Sequence, residues 1–578
     1  MIRRILDKLK GEHSKYTVRQ LVSWLWLVLR GNRLQMVANA LIGLLGVGVS
    51  LAMVWAMQHT IDIASGNVRG SVYWGVVTMG LLILCEFALN ISRVWVKNIL
   101  GVRAQNRLQQ QMLDRLLRSE WRSKERHHSG DIINRLEQDV KTVVSFITET
   151  LPSMLSVLLM FIGAFSYLFQ MDAWLAFTTV AILPLFLLVS RVYVTQMRKY
   201  TKQVRTSDSE IQSLLTEAVQ HRMLLKTMEA GTRIVEKLDD YQSQLRYHVR
   251  QRTKFSLASN LFVNGGFSLG YLVAFLWGAV RLQSGTISFG EMTAFLQLVY
   301  RIQGPARDLM KLAPQCVSVF TAAERLMELE EIPLEEQGKS IDVPTPCGLR
   351  LDDVSYTYED ALDPVISHLS FDFRPGTCTA ILGETGAGKT TLIRMVLALM
   401  HPTEGQVTIY SDRKNEYLEY TERTKHYEAL VTANMRCNFV YVPQGNTLLS
   451  GTIRDNLLLG RPDATDEDIW RALNSVCGDF VATLKDGLDT QLTEVGGGLS
   501  EGQAQRIAVA RALLRDRPVM VFDEATSALD PDTERQLLQN ILSKHDKTIL
   551  FITHRPAVID YCDQTLHIHR AARQKIKR

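Results

Sequence analysis

No two of the seven cysteines stand close together. Cys85, Cys316, Cys347, Cys378, Cys437, Cys477 and Cys562 are scattered singly, with no C-x-x-C spacing. That pattern supports neither a zinc site nor a disulfide framework, and free thiols in a reducing compartment follow. A strong charge of one sign is also missing. A net charge of +5 over 578 residues makes no case for nucleic acid as a partner. A cleavable leader is not expected either. Met1 to Lys10 is basic, but Tyr16 to Leu29 interrupts its apolar residues with Arg19, Gln20 and Ser23. The unbroken run Leu25 to Leu29 is too short to span a bilayer. With Trp24 and Trp26, this stretch reads as a helix lying in the membrane interface or as an ordinary amphipathic packing helix.

The chain is too long for one compact core. Hydrophobic residues make up 46%, and the long apolar runs crowd into the N-terminal half. Six stretches are long enough to cross a bilayer: roughly Gln35–Met57, Ser71–Val96, Leu151–Phe169, Ala173–Val194, Phe255–Leu282 and Phe289–Leu312. Between them, Gln58–Gly70, Gln170–Asp172 and Gln283–Ser288 are short and hold a single Lys or Arg, Arg69. The N-terminus, Lys97–Thr150 and Thr195–Lys254 are rich in Lys and Arg, which places them and the C-terminal half on the cytoplasmic side. The two long basic gaps contain no proline, so they read as helical arms reaching about 30 Å from the membrane and back. Turns are expected at Ser129-Gly130-Asp131 and near Glu217–His221. Glu86, Asn90 and Arg93 share one face of the second span, and Gln297 and Arg301 share one face of the sixth. Such faces line a cavity or pair within the bundle.

The densest information lies at Gly383-Glu384-Thr385-Gly386-Ala387-Gly388-Lys389-Thr390-Thr391, a match to G-x-x-x-x-G-K-[ST]. Thr379–Leu382 reads as a buried strand before it, and Leu392–Leu397 opens a helix after it. A strand, a glycine turn and a helix N-terminus aim backbone N–H groups at one point, where the helix dipole favours phosphate. Lys389 would reach the outer phosphates, and the Thr390 hydroxyl would ligate Mg²⁺. Downstream, Val519-Met520-Val521-Phe522-Asp523-Glu524 is an apolar strand ending in two acids. Asp523 is placed to hold Mg²⁺, and Glu524 to orient the water that attacks the γ-phosphate. Leu499-Ser500-Glu501-Gly502-Gln503 follows Gly496–Gly498 and satisfies the S-x-x-Q helix capping box. A capped, glycine-lined helix N-terminus is also a phosphate-binding device.

With these motifs in this order, nearly the whole chain resembles the ATP-binding cassette transporters, in the exporter form with membrane and nucleotide domains fused. In that resemblance Leu499–Gln503 is the signature segment, whose Ser500, Gly502 and Gln503 meet the γ-phosphate of ATP held by the opposite subunit. Glu501 stands where the family usually has glycine. Tyr358 corresponds to the aromatic stacked on adenine. Gln444 corresponds to a Mg²⁺ ligand that senses the arms, and Thr493–Gly496 to a segment meeting them. Ser527–Asp530 corresponds to the loop crossing to the partner, and His554 to the switch histidine near the γ-phosphate. Ser411–Cys437 is longer and more polar than the family suggests, and an exposed insertion is expected there.

The fold class is therefore multidomain: an all-α polytopic membrane domain, then an α/β P-loop nucleotide-binding domain. The boundaries are 1–33 for the N-terminal elbow, 34–320 for the membrane domain, 321–348 for a linker and 349–578 for the nucleotide domain. The resemblance implies ATP and Mg²⁺, and a dimer, either of two identical chains or with a second half-transporter. It implies export of a lipid, drug or peptide across a bacterial cytoplasmic membrane. A nucleotide-gated channel or regulator, and an importer on the same scaffold, are the alternatives.

Overall fold

The computed structural model describes residues 15–30, 33–121, 129–358, 361, 363–414, 424–493, 498–542 and 546–569. It divides into two compact units. One comprises residues 1–114 and 129–331, and the other 115–128 and 332–578.

The first unit is helical. α1 is Val18–Val28, α2 Arg33–Ala64 and α3 Val72–Leu117. α4 is a continuous helical run over 129–171, with π-helical turns at Arg135–Asp139 and Phe146–Thr150. α5 (Ala173–Gln220), α6 (Arg222–Thr227), α7 (Gly231–Gln283) and α8 (Phe289–Glu330) complete it. Among the described residues, four helices are long and apolar enough to cross a membrane: Met36–Ala64, Val72–Leu117, Asp131–Met171 and Gly231–Gln283. α5 and α8, the other two expected spans, are helices of 48 and 42 residues. Small residues let these helices close on one another. Val54, Ala164, Ala176, Ala274, Ala294 and Phe295 form the middle of the bundle. A Cβ on Gly163 would sit 2.7 Å from Leu51.

Several sequence expectations shift. Ser129-Gly130-Asp131 is not a turn: α3 ends at Leu117, and helix has resumed by Ser129. Ser129 and Asp131 suit a helix start, where an acid meets the positive end of the dipole. In the second arm helix persists through Gln220. His221 and Met228–Ala230 form the breaks around α6. α8 continues to Glu330, so the expected linker opens as helix. The first outer gap is helical as far as Ala64.

Polar groups staple this unit. The N-cap Asp172 accepts from Leu175 N–H (3.0 Å), from Trp277 Nε1 (3.0 Å) and from Arg281 (3.1 Å). One nearly buried carboxylate thus fixes the tight α4–α5 turn to α7. Asp172→Ala should cost about 1–2 kcal/mol through the lost cap alone. It also strands two donors, so thermal unfolding in detergent should come at lower temperature, with Asp172→Asn intermediate. In the arm, Arg135 is buried and bonds Asp131 (2.9 Å), Glu328 (2.9 Å) and the Arg325 carbonyl (2.6 Å). Arg325 reaches Asp131 and Asp139. At the other end, the Thr17–Gln20 capping box starts α1. α1 docks through Trp24 Nε1 to Glu330 (2.8 Å) and through Lys15 to Glu331 (2.5 Å). Its outer face leaves Val22, Trp26 and Leu27 half exposed. One side of this helix therefore packs on protein, and the other is apolar and open.

The second unit is built on two sheets. The antiparallel sheet runs β2 (Ile366–Phe373), β1 (Gly348–Tyr356), β4 (Glu404–Lys414), β5 (Thr424–Leu430). The parallel sheet runs β11 (Gln564–His567), β3 (Cys378–Leu382), β10 (Thr548–Ile552), β9 (Val519–Asp523), β6 (Phe439–Val442). A two-stranded ribbon pairs β7 (Gly451–Thr452) with β8 (Gln491–Leu492). The helices are α9 (Lys389–Val396), α10 (Ile453–Leu458), α11 (Asp466–Ser475), α12 (Phe480–Thr483), α13 (Glu501–Arg515), α14 (Pro531–Leu542) and α15 (Pro556–Ile559). β9 and β10 are buried along their whole length, as central parallel strands read. The polar stretch expected to be an exposed insertion supplies β5. It pairs with β4 from Thr408↔Leu430 to Lys414↔Thr424, and residues 415–423 lie outside the described set.

Candidate functional site

Parallel pairing decides the site. β3, β10, β9 and β6 all point the same way, with Ile552 opposite both Ile381 and Asp523, and Val442 opposite Phe522. Their C-terminal ends therefore lie along one edge, where α/β sheets bind ligands. The phosphate loop follows β3, Thr553-His554 follow β10, Glu524 follows β9, and Pro443-Gln444 follow β6. Four motifs scattered over the sequence come to one edge because four strands share a direction.

The loop conformation depends on glycine. Gly383, Gly386 and Gly388 have φ of 158°, 83° and 102°. A Cβ at Gly383 would stand 2.5 Å from the Ile568 carbonyl oxygen. Gly388 caps α9, so the backbone N–H groups at its start face the loop. Glu384, Thr385 and Gly386 are exposed and Ala387 is buried. Lys389 Nζ donates to the carbonyls of Gly383 (2.5 Å) and Glu384 (3.2 Å) and lies 3.1 Å from His554 Nε2. Thr390 is exposed in the first turn. The buried Thr391 meets the Tyr358 hydroxyl at 2.7 Å. The Tyr358 ring stands edge-on to Tyr356, with centroids 5.0 Å apart.

The acids are held differently. Asp523 is buried, and Tyr441 OH donates to its Oδ2 (3.2 Å). Burial, then the adjacent Glu524 charge, pushes its carboxyl up; Tyr441, Lys389 and Arg394 oppose this. Glu524 has φ of 48°, a left-handed conformation that non-glycine residues adopt at a cost. Its N–H donates to the Ile552 carbonyl (3.0 Å). Its side chain accepts from Gln444 Nε2 (2.7 Å) and lies 3.9 Å from His554 Nε2. Gln444, Glu524, His554 and Lys389 thus form a continuous chain of polar groups.

The Asp523 shift has a testable sign. A carboxyl raised in the folded state holds its proton more tightly than in the unfolded chain. Folding stability is therefore lost as pH rises from the ordinary carboxylate range through the raised value. Asp523→Asn should raise the melting temperature of the nucleotide-free protein at neutral pH. That gain should shrink as pH falls toward the carboxylate range, while ATP turnover is lost. A melting temperature unchanged at neutral pH would contradict the burial argument.

Ser500 caps α13 by accepting from Gln503 N–H (3.2 Å), and its own N–H donates to Gln503 Oε1 (2.9 Å). Glu501 is exposed in the first turn. Among the described residues, no hydrogen bond or ion pair links Ser500, Glu501, Gly502 or Gln503 to the glycine loop or to Lys389. Gly502 has a packing reason: a Cβ there would stand 2.8 Å from the Ala528 carbonyl oxygen. Of the expected arm-contact segment Thr493–Gly496, Glu494–Gly496 lie outside the described residues.

Four residues escaped the sequence reading. Buried Gln505 donates to Ser527 Oγ (3.0 Å) and accepts from Ala528 N–H (3.1 Å), tying α13 to the Ser527–Asp530 loop. Arg555 donates to the carbonyls of Ser527 (2.5 Å) and Leu529 (3.1 Å) and to Glu534 (2.8 Å). Tyr441 holds Asp523. Trp121, beyond the end of α3, lies under the Arg394 guanidinium of α9 at 5.8 Å. The flanking chain pairs with 333–335: Glu120 N–H donates to Pro333 O (2.9 Å), and Glu335 N–H to Arg118 O (3.0 Å). Only Gln505 carried a signal, as a lone amide on the otherwise apolar buried side of its helix.

In the helical unit, Glu86, Asn90 and Arg93 border a cavity of about 380 Å³ with Gly43, Ser153 and Ser156. Neither Gln297 nor Arg301 borders it, and Gln297 Nε2 donates to Met57 Sδ (2.9 Å).

A phosphate loop with strand-end acids, fused to a bundle of membrane-length helices, defines an ATPase that works in a membrane. The family model of the ABC transporter transmembrane region matches residues 36–305, and the ABC transporter model matches 366–527. The chain belongs to the ABC transporters, with both domains in one polypeptide; it is an integral membrane protein that hydrolyses ATP to drive transport. It is 28% identical over 445 residues to a putative multidrug export ATP-binding/permease protein of Staphylococcus aureus, covering 76% of this chain and 75% of that one. It is 28% identical over 465 residues to antigen peptide transporter 2 of Mus musculus, covering 80% and 64%. A solved bacterial Atm1-family ABC exporter with ATP bound shares the fold, with a TM-score of 0.77, 21% identity, and 94% and 95% of the two chains covered.

Proposed function

We propose that two copies of this chain form an ATP-driven exporter of hydrophobic or amphipathic compounds, working by alternating access. The observation that carries this is the polar chain Lys389–His554–Glu524–Gln444 at one sheet edge, with Ser500–Gln503 making no bond to it among the described residues. One chain then supplies half of each ATP site. The phosphate loop of one copy and the Ser500–Gln503 helix start of the other enclose one nucleotide.

In this reading the loop N–H groups and Lys389 hold the phosphates, and Tyr358 offers its ring to adenine. Glu524 orients the attacking water, with Gln444 fixing its carboxylate and His554 facing the γ-phosphate. Asp523, Gln444 and Thr390 present a carboxylate, an amide and a hydroxyl, hard oxygen donors that suit Mg²⁺. The buried Asp523 carboxyl at the sheet edge also fits a place for positive charge. Mg²⁺ bound there would neutralise charge on the transferring phosphoryl group. The Lys- and Arg-rich segments support an orientation with the N-terminus and the nucleotide unit on the cytoplasmic side of a bacterial inner membrane. The names of the relatives favour drugs or peptides as cargo.

Inside-out vesicles containing the protein should take up lipophilic cations or hydrophobic peptides against a gradient only with ATP and Mg²⁺. Solute movement that only ever runs downhill on ATP addition would replace export with a gated channel.

A further inference from the structure

Two thiols outside the ATP cluster face each other. Cys378, the first residue of β3, is buried; Cys562, just before β11, is half-buried. Their sulfurs lie 2.8 Å apart, although 184 residues separate them in sequence. The sheet fixes this approach. β3 and β11 are parallel neighbours with Thr379 opposite Gln564. Cys378 N–H donates to Asp563 Oδ2 (2.9 Å), and Asp563 N–H donates to the Cys378 carbonyl (2.9 Å). Backbone on both sides is therefore anchored, and the thiols meet without any loop having to move. Among the described residues, none of Cys85, Cys316, Cys347, Cys437 and Cys477 has a cysteine partner.

We propose that Cys378 and Cys562 are a redox couple, closed to a disulfide by a peroxide and reopened by a dithiol. Cys562 is the more accessible sulfur and reacts first. Its thiolate attacks one oxygen of hydrogen peroxide and the O–O bond breaks. Cys562 becomes a sulfenic acid, and the other oxygen leaves as water. The Cys378 sulfur then attacks the sulfenic sulfur. The S–S bond forms, and the hydroxyl departs as a second water with the Cys378 proton. Two electrons pass from the sulfurs to the peroxide, and two thiols and one peroxide give one disulfide and two waters. The hydrogen bond to Cys562, then burial, pushes the Cys378 thiol up, which keeps it as the resolving S–H rather than the first nucleophile. An accessible cysteine beside a resolving partner is the arrangement of redox sensors. In a reducing compartment such a disulfide is transient rather than structural. The couple lies at the end of β3 away from the phosphate loop, so it leaves the ATP-binding groups untouched in the reduced state.

The test uses the full-length protein, reduced, freed of reductant and treated with hydrogen peroxide. It is then alkylated and digested without reductant. Mass spectrometry should show the Cys378 and Cys562 peptides joined, two hydrogens lighter than their sum, in most chains. Dithiothreitol should restore both to alkylation. Cys562→Ser should abolish the joined species while leaving ATP turnover of the reduced protein within twofold of the parent. That half-buried position keeps the test open even where Cys378→Ser fails to fold. Two results would overturn the proposal: both thiols still fully alkylated after peroxide, or Cys562 carried on to sulfinic acid with no joined peptide.

Discussion

Glu524→Gln should bind ATP with unchanged affinity and hydrolyse it about 10²–10⁴-fold more slowly, the range for removing a positioned acid–base group. The substitution preserves shape. An amide oxygen can still accept from Gln444 Nε2, and the backbone bond to Ile552 is unaffected. Only the negative charge beside the attacking water is lost. Binding depends on the glycine loop and Lys389, which Glu524 does not touch. Two copies joined across ATP should therefore persist and run as a dimer by light scattering in nanodiscs. An ATPase rate near that of the parent would remove Glu524 from the reaction. Full turnover by a species that remains monomeric would remove the shared site altogether.

Lys389→Ala should fail one step earlier. The ammonium bridges the Gly383 and Glu384 carbonyls and faces His554. Its removal deletes a positive charge aimed at the phosphates and the clasp that closes the loop on itself. ATP affinity should fall at least tenfold, about 1.4 kcal/mol, and turnover at saturating ATP should fall roughly 10²-fold or more, as when one charge-stabilising donor is removed. Equilibrium binding of a fluorescent ATP analogue separates the two variants: Glu524→Gln retains it and Lys389→Ala loses it. Lys389→Arg should not restore it, because a planar guanidinium cannot occupy the ammonium's position inside the loop. Parent-like affinity in Lys389→Ala would mean the loop holds phosphate through backbone groups alone.

Local features were legible where they need only short-range physics. Apolar runs marked the spans, since a bilayer demands length and hydropathy and little else. The phosphate loop showed itself through glycines whose positive φ excludes most side chains. The Ser500 capping box appeared as written, because it closes within four residues. Element ends were less readable. Ser129-Gly130-Asp131 suits a helix start as well as a turn, and the polar stretch after Ser411 gave no sign of pairing with β4 until the hairpin was seen. Gln505 and Arg555 are ordinary residues in sequence. Their role lies in the carbonyls and amides that the Ser527–Asp530 loop turns toward them.

By itself the sequence determined the kinds of group available and their order: six membrane-length stretches, a phosphate loop, two acids, a glutamine, a capped helix start and a histidine. The tertiary structure alone decided which of them meet. Lys389 reaches His554 across 165 residues, and Gln444 reaches Glu524 across 80. Cys378 meets Cys562 across 184. Each meeting rests on the order and register of parallel strands. That register is set by non-local hydrogen bonds and by burial of both sheet faces, which no local window of residues encodes.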